Sequence, residues 1–176
     1  MPRRDVGTLI LILALGTARA DAAFVCPVTA PQGRNLPAGY PVNHGDGTGL
    51  AAIAFSPVVF KPGGPGCVAR DGSLLMKWGW WRGVRGQLSV TGRSLEGKPG
   101  AVRVAFVPYG DIGFQPTALA FPGPGCWEVT GAVAEARVSF VVLVEKIAEG
   151  PGSRCEELFP RSALESLRVS VDPVGR

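Results

Sequence analysis

Glycine and proline are unusually frequent in this chain: 25 Gly and 16 Pro are spread through 176 residues. Glycine frees the backbone and proline removes an amide donor. In a helix interior they cost about 1 and about 3 kcal/mol respectively, so a helix bundle is excluded. The segments between the interruptions are short and rich in Val, Leu, Ala, Phe and Trp, which excludes a disordered chain as well. Short apolar runs bounded by turn residues read as β-strands.

The runs fall at residues 50–55 and 58–61, before the turn Pro62-Gly63-Gly64-Pro65-Gly66, and at 73–78 after Asp71-Gly72. Residues 84–91 alternate Leu88 and Val90 with Gln87, Ser89 and Thr91, and 101–107 place Val102, Val104 and Phe106 on one face. Residues 117–121 lead into Pro122-Gly123-Pro124-Gly125. The clearest hairpin is 126–133 returning as 137–146 about a turn near Ala134-Glu135, with Val138, Phe140, Val142 and Val144 on one face. Seven or eight strands at this spacing predict an all-β fold, an antiparallel β-sandwich over 50–146, with a closed barrel as the competitor. Residues 23–49, rich in Pro and Gly without periodicity, predict an extended arm. Residues 147–176 predict a tail in which Ser162 to Glu165 fit a capping box opening a short helix over 162–168.

The first 22 residues have the pattern of a signal peptide. Arg3 and Arg4 precede an apolar run over 6–15, and Ala18-Arg19-Ala20 or Ala20-Asp21-Ala22 offers a cleavage site. The apolar run is too short for the roughly 20 residues that a membrane span requires. The expectation is cleavage and release to the periplasm or outside the cell, with no membrane span afterwards. Cleavage removes Arg3, Arg4, Arg19, Asp5 and Asp21, so the net charge falls from +4 to +3. That is too mild and too scattered for a nucleic-acid partner. All four cysteines (Cys26, Cys67, Cys126, Cys155) lie beyond the leader, and none forms the close C-x-x-C pair of a zinc site. In an oxidising compartment they predict two disulfides, for which three connectivities are open.

Two resemblances are carried by motifs. The stretch 121–131, Phe-Pro-Gly-Pro-Gly-Cys-Trp-Glu-Val-Thr-Gly, running into Val138-Ser-Phe-Val-Val142, resembles the closing hairpin of immunoglobulin-like domains. The chain also resembles a group of exported bacterial proteins. It shares with them Cys26-Pro-Val-Thr29, the turn Phe60 to Gly66, Trp80-Trp-Arg-Gly-Val-Arg-Gly86 and the Pro124-Gly-Cys-Trp-Glu-Val-Thr-Gly131 motif. The resemblance covers most of 26–145. It implies an immunoglobulin-like β-sandwich at the cell envelope and brings no activity or site residues with it.

Alternation bears on the cysteines. Trp127, Val129 and Val133 share one face of their strand, Cys126, Glu128 and Thr130 the other. With the Trp face in the core, Cys126 points outward, unlike the inward cysteine of an antibody domain, toward something lying over the sheet. The expected pairing is Cys26–Cys126 and Cys67–Cys155.

Catalytic chemistry finds little support. The one histidine, His44, sits in Asn43-His-Gly-Asp-Gly-Thr-Gly49 and reads as a solvated loop residue, and no G-x-S-x-G elbow accompanies it. That loop lacks the Gly-Lys-Ser/Thr of a phosphate cradle and the oxygen ligands of a calcium loop. Asp71, Glu96, Asp111 and Glu128 could supply paired carboxylates, but nothing in the sequence makes any two converge, and Glu128 reads as half of a cross-strand ion pair. Neither cofactor nor metal is expected. The most suggestive segment is Trp78-Gly-Trp80-Trp81-Arg82-Gly-Val-Arg85. Trp80, Trp81, Arg82 and Arg85 form a candidate ligand patch, since flat aromatics beside guanidinium groups suit sugar rings. The competing reading places Met76, Trp78 and Trp80 in the core. The expected role is an exported, non-enzymatic immunoglobulin-like module acting by surface binding or as an envelope structural part, its partner a cell-envelope polymer or another exported protein. The alternative is a carbohydrate- or cell-wall-binding module using the Trp/Arg patch.

Overall fold

The structure, a computed structural model, describes residues 23–32, 44–45, 49–53, 56–61, 64–107, 109–147 and 155–168. The signal-peptide expectation therefore lies outside the described residues, as does much of the arm.

Among the described residues ten strands and two short helices follow in order: β1 (His44–Gly45), β2 (Leu50–Ile53), β3 (Val58–Phe60), β4 (Gly66–Val68), β5 (Leu74–Arg82), β6 (Ser89–Ser94), β7 (Arg103–Phe106), β8 (Gly113–Phe121), β9 (Gly125–Val133), β10 (Ala136–Lys146), α1 (Cys155–Leu158) and α2 (Arg161–Ser166). One sheet runs β1-β2-β5-β8-β7, with β4 also on β5; the other runs β3-β10-β9-β6. They pack face to face as a sandwich. The expected hairpin is β9–β10, closed at Val133↔Ala136 with Ala134 at positive φ in the turn.

Alternation decides which side chains meet between the sheets. Leu74, Trp78 and Trp80 of β5 face Trp127, Val129 and Val133 of β9 and Val138, Phe140, Val142 and Val144 of β10 in one apolar cluster. The two sheets come close where the Trp80 ring lies against Gly131, and a Cβ there would stand 2.3 Å from Trp80 Cζ3. The Trp80 indole N–H donates to Thr117 Oγ1 at 3.2 Å, and the Thr117 hydroxyl donates to Trp78 O, so these two buried side chains are satisfied, whereas the Trp78 indole N–H has no partner among the described residues.

The first sheet is buried on its other face too. Small residues there (Ala105, Ala118, Ala120) leave room for the tail to lie flat, and Phe159, Ala163, Leu164 and Leu167 cover them in a second apolar cluster. Arg103 fastens the end of α2 by donating to Leu167 O at 3.0 Å, a cation placed where the last carbonyls of the helix point.

The structure differs from the sequence expectations in several places. β1 and β4 come in addition to the expected strands. The sandwich is not wholly antiparallel: β3 runs parallel to β10, Val58 beside Val144. A hairpin cannot make that pair, but segments so far apart in sequence can meet in either sense. The capping box is not formed. Pro160 supplies the extended entry to α2 without a side-chain cap, and Ser162 falls inside the first turn. His44 is no solvated loop residue. It is 3% exposed and stacks on Phe140 with ring centroids 4.5 Å apart. Among the described residues neither of its ring nitrogens has a partner, and burial lowers its pKa, so it sits in the core as a neutral ring.

The arm at Cys26 and the tail at Cys155 are clamped to the sandwich by disulfides, Cys26–Cys126 and Cys67–Cys155. These are the partners that the alternation argument pairs. The arm crosses the side of β10 that β3, paired only at Val144 to Lys146, leaves open; there Thr29 accepts from Val141 N through its hydroxyl and donates its own amide to Val141 O. A sheet edge that could otherwise pair with another chain is thereby covered. Among the described residues no helix is long and apolar enough to cross a membrane.

Candidate functional site at the loop end of the sandwich

The core-facing stripe of β5 runs Leu74, Met76, Trp78, Trp80 and ends at Arg82. The last position falls beyond the apolar layer, between the 83–88 connection to β6 and the 107–112 connection to β8. Arg82 is 3% exposed, and its guanidinium reaches both loops, donating to Gly86 O at 2.9 Å and to Gly110 O. Its Nε has no hydrogen-bond partner among the described residues. The loops are tied again by Gly86 N donating to Asp111 O at 3.2 Å. At the mouth, Arg85 and Asp111 form an ion pair of 2.7 Å, both side chains well exposed. Between the loops lies a cleft of about 570 Å³, lined in part by Arg82, Arg85, Leu88, Phe106, Tyr109, Asp111 and Gln115. Gln115 is buried there, its amide donating to Val107 O at 2.7 Å. Phe106, Tyr109 and Ile112 are among the large apolar side chains left exposed on the molecule. The Tyr109 ring is held edge-on against Phe114, with centroids 6.2 Å apart.

The four-residue patch expected from the sequence is therefore divided. Trp80 is a core residue with no exposed surface, so its place in a ligand patch is corrected: its strand position faces the opposite sheet. Trp81 lies on the other face of the sheet, half-buried, in register between Ala51 and Phe114. Arg82 is likewise corrected from a surface group to a buried one. Only Arg85 is both exposed and at the cleft. Sequence reading overlooked Phe106 and Tyr109. Phe106 completed an apparently apolar face, but the core ends short of it, and Tyr109 follows a proline in a segment without periodicity.

The four carboxylates considered for acid–base work are each held by a cation instead of converging. Asp71 meets Arg103 at 2.9 Å, Glu96 meets Lys98 at 3.0 Å, Asp111 meets Arg85 and Glu128 meets Arg93 at 2.7 Å. Arg93 and Glu128 are direct cross-strand neighbours on β6 and β9. Among the described residues no group of three or more His, Cys, Asp or Glu could hold a metal ion.

A second hollow, also about 570 Å³, runs between the first sheet and the tail. Its walls, which include Ile53, Phe114, Leu158, Phe159 and Pro160, are almost wholly apolar, with Lys77 as their one charged group. Lys77 lies over the Phe159 ring at 5.9 Å. The loop-end cleft differs in joining fixed cations, a hydrogen-bonding amide and exposed rings. Comparison with protein-family models, with curated proteins and with solved structures gives no match for this chain.

Proposed function

We propose that the chain is an exported module that acts at the cell envelope by binding, on a β-sandwich of the immunoglobulin-like kind. Two disulfides are compatible with an oxidising, extracellular compartment. The leader pattern of the first 22 residues and the resemblance to exported bacterial proteins support the same address. Binding is favoured over catalysis because the one histidine is a neutral core ring and the candidate carboxylates are each neutralised by a cation.

The observation that carries the proposal is the gathering of exposed Phe106, at the end of β7, with Tyr109 and Arg85 around one cleft, between loops fastened to each other by Arg82. Loops held on a rigid sandwich are a recurrent place for recognition. The same observation favours a carbohydrate of the cell wall over another exported protein, since flat rings beside guanidinium groups suit sugar faces. The test is retention of the purified, disulfide-intact protein on insoluble cell-wall polymer. Sedimentation with the polymer, reduced at least fivefold by Tyr109→Ala, is the expected result. Equal recovery of both proteins in the supernatant would overturn the cell-wall reading.

A further inference from the structure

We propose that the loop-end cleft is a seat for the carboxylate of an acidic sugar, a uronic-acid type of ring; this rests on the reading of that end as a binding surface. The first reason is electrostatic. Arg82 is a buried cation whose guanidinium donates to main-chain carbonyls, Gly86 O and Gly110 O, and among the described residues no carboxylate pairs with it. A charge taken out of water without an opposite charge is costly, and its field is strengthened by low-dielectric walls such as Leu88 and Val107. An anion entering the cleft would meet a charge already fixed in place, and would supply the compensation that the fold leaves out.

The second reason is that the mouth has a cation to offer. Among the described residues Arg85 is engaged only with Asp111, and both side chains are largely in water. Exposed pairs of this sort contribute little, so exchanging Asp111 for a ligand carboxylate is nearly neutral. The planar guanidinium also matches a carboxylate with two parallel N–H donors. The third reason is shape. Phe106 and Tyr109 are exposed aromatic side chains lining the cleft, of the kind that packs on the apolar face of a sugar ring, and a volume of about 570 Å³ falls among small-ligand sites of roughly 300–1,000 Å³. Phosphate or sulfate alone would use the cations and leave the rings idle. A neutral sugar would use the rings and leave Arg82 uncompensated.

The probe is a trisaccharide of galacturonic acid, titrated calorimetrically into the full disulfide-intact protein beside its trimethyl ester, which keeps the rings and removes the charge. The acid is expected to bind at least tenfold more tightly than the ester, and to weaken severalfold between 50 and 300 mM salt. Arg85→Gln should weaken the acid severalfold. Asp111→Asn should tighten it severalfold, because it releases Arg85. Arg82 is unsuitable for the test, since it fastens two loops and its loss could unfold them, whereas Arg85 and Asp111 are surface groups. Equal binding of acid and ester, no binding of either, or a weaker acid complex in Asp111→Asn would each overturn the proposal. Retention on cell-wall polymer without discrimination between acid and ester would refute the acidic-sugar seat and leave the binding module standing. Loss of both would refute both.

Discussion

The contact between Gly131 and Trp80 allows a sharp test of how the sandwich is packed. Gly131 on β9 faces the indole of Trp80 on β5, and an added methyl would sit 2.3, 2.8 and 2.9 Å from its Cζ3, Cη2 and Cε3 atoms. All three belong to the six-membered ring, which is fully buried and anchored through its N–H on Thr117. Carbon atoms pack at about 3.5–4.0 Å, so Gly131→Ala requires the ring or the sheet to move by more than an ångström. Overpacking of this kind costs about 1–3 kcal/mol. For a chain of this length each kcal/mol lowers the melting temperature by about 2–4 °C, so Gly131→Ala should melt roughly 2–12 °C lower. Trp80→Phe removes the atoms in the way and leaves a cavity of its own. Combined with Gly131→Ala it should cost less than the two changes added together, by about 1 kcal/mol or more in a double-mutant cycle. An unchanged melting temperature for Gly131→Ala, or strict additivity, would refute this packing and return Trp80 to the surface.

Two further outcomes follow from the clamps and the buried ring. Replacing Cys67 and Cys155 together by Ala opens a loop of 88 residues. In the chain-entropy model that is about 4.6 kcal/mol, so the melting temperature should fall by at least about 10 °C. The tail should become the first site of limited proteolysis, and a shift under 3 °C would contradict this. His44 has a pKa lowered by burial from an ordinary value of 6.5, so the unfolded chain takes its proton first as pH falls. Its contribution is fully present above about pH 6.5 and is lost below it, with a limiting slope of about 1.4 kcal/mol per pH unit. His44→Phe, which keeps the stack on Phe140, should flatten stability between pH 6.5 and 5 in urea melts. An identical pH profile for both proteins would place His44 in water.

Strands announced themselves where one face is buried and the other wet. β9 and β10 alternate so regularly that their register and the outward Cys126 follow from the pattern. β1 is two residues long, and no periodicity can exist in two residues. The parallel pairing of β3 with β10 joins distant segments, and nothing local records it. Arg82 shows how type and position can conflict: alternation puts it on the core stripe, while its charge argues for the surface, and two loop carbonyls resolve the conflict in favour of burial. The cleft was less legible still. It depends on loops 83–88 and 107–112 arriving side by side, a matter of sheet order that the spacing of residues does not encode. Ala105, Ala118 and Ala120 look like filler in a sequence rich in alanine. Only the tail lying over them shows that their smallness has a purpose.

The two disulfides interleave, Cys26 with Cys126 and Cys67 with Cys155, closing spans of 100 and 88 residues. A chain emerging amino terminus first presents Cys26 and Cys67 to each other, about 41 residues apart, before either native partner exists. Loop closure favours that early pair over Cys26–Cys126 by about 0.8 kcal/mol. Yet the two belong on opposite sides of the molecule, one over the β10 edge and one under the tail. The bonds therefore cannot guide the chain to its topology. They record it, closing correctly only once the sheets have assembled, and a thiol–disulfide isomerase acting late in folding is the helper that such a connectivity calls for.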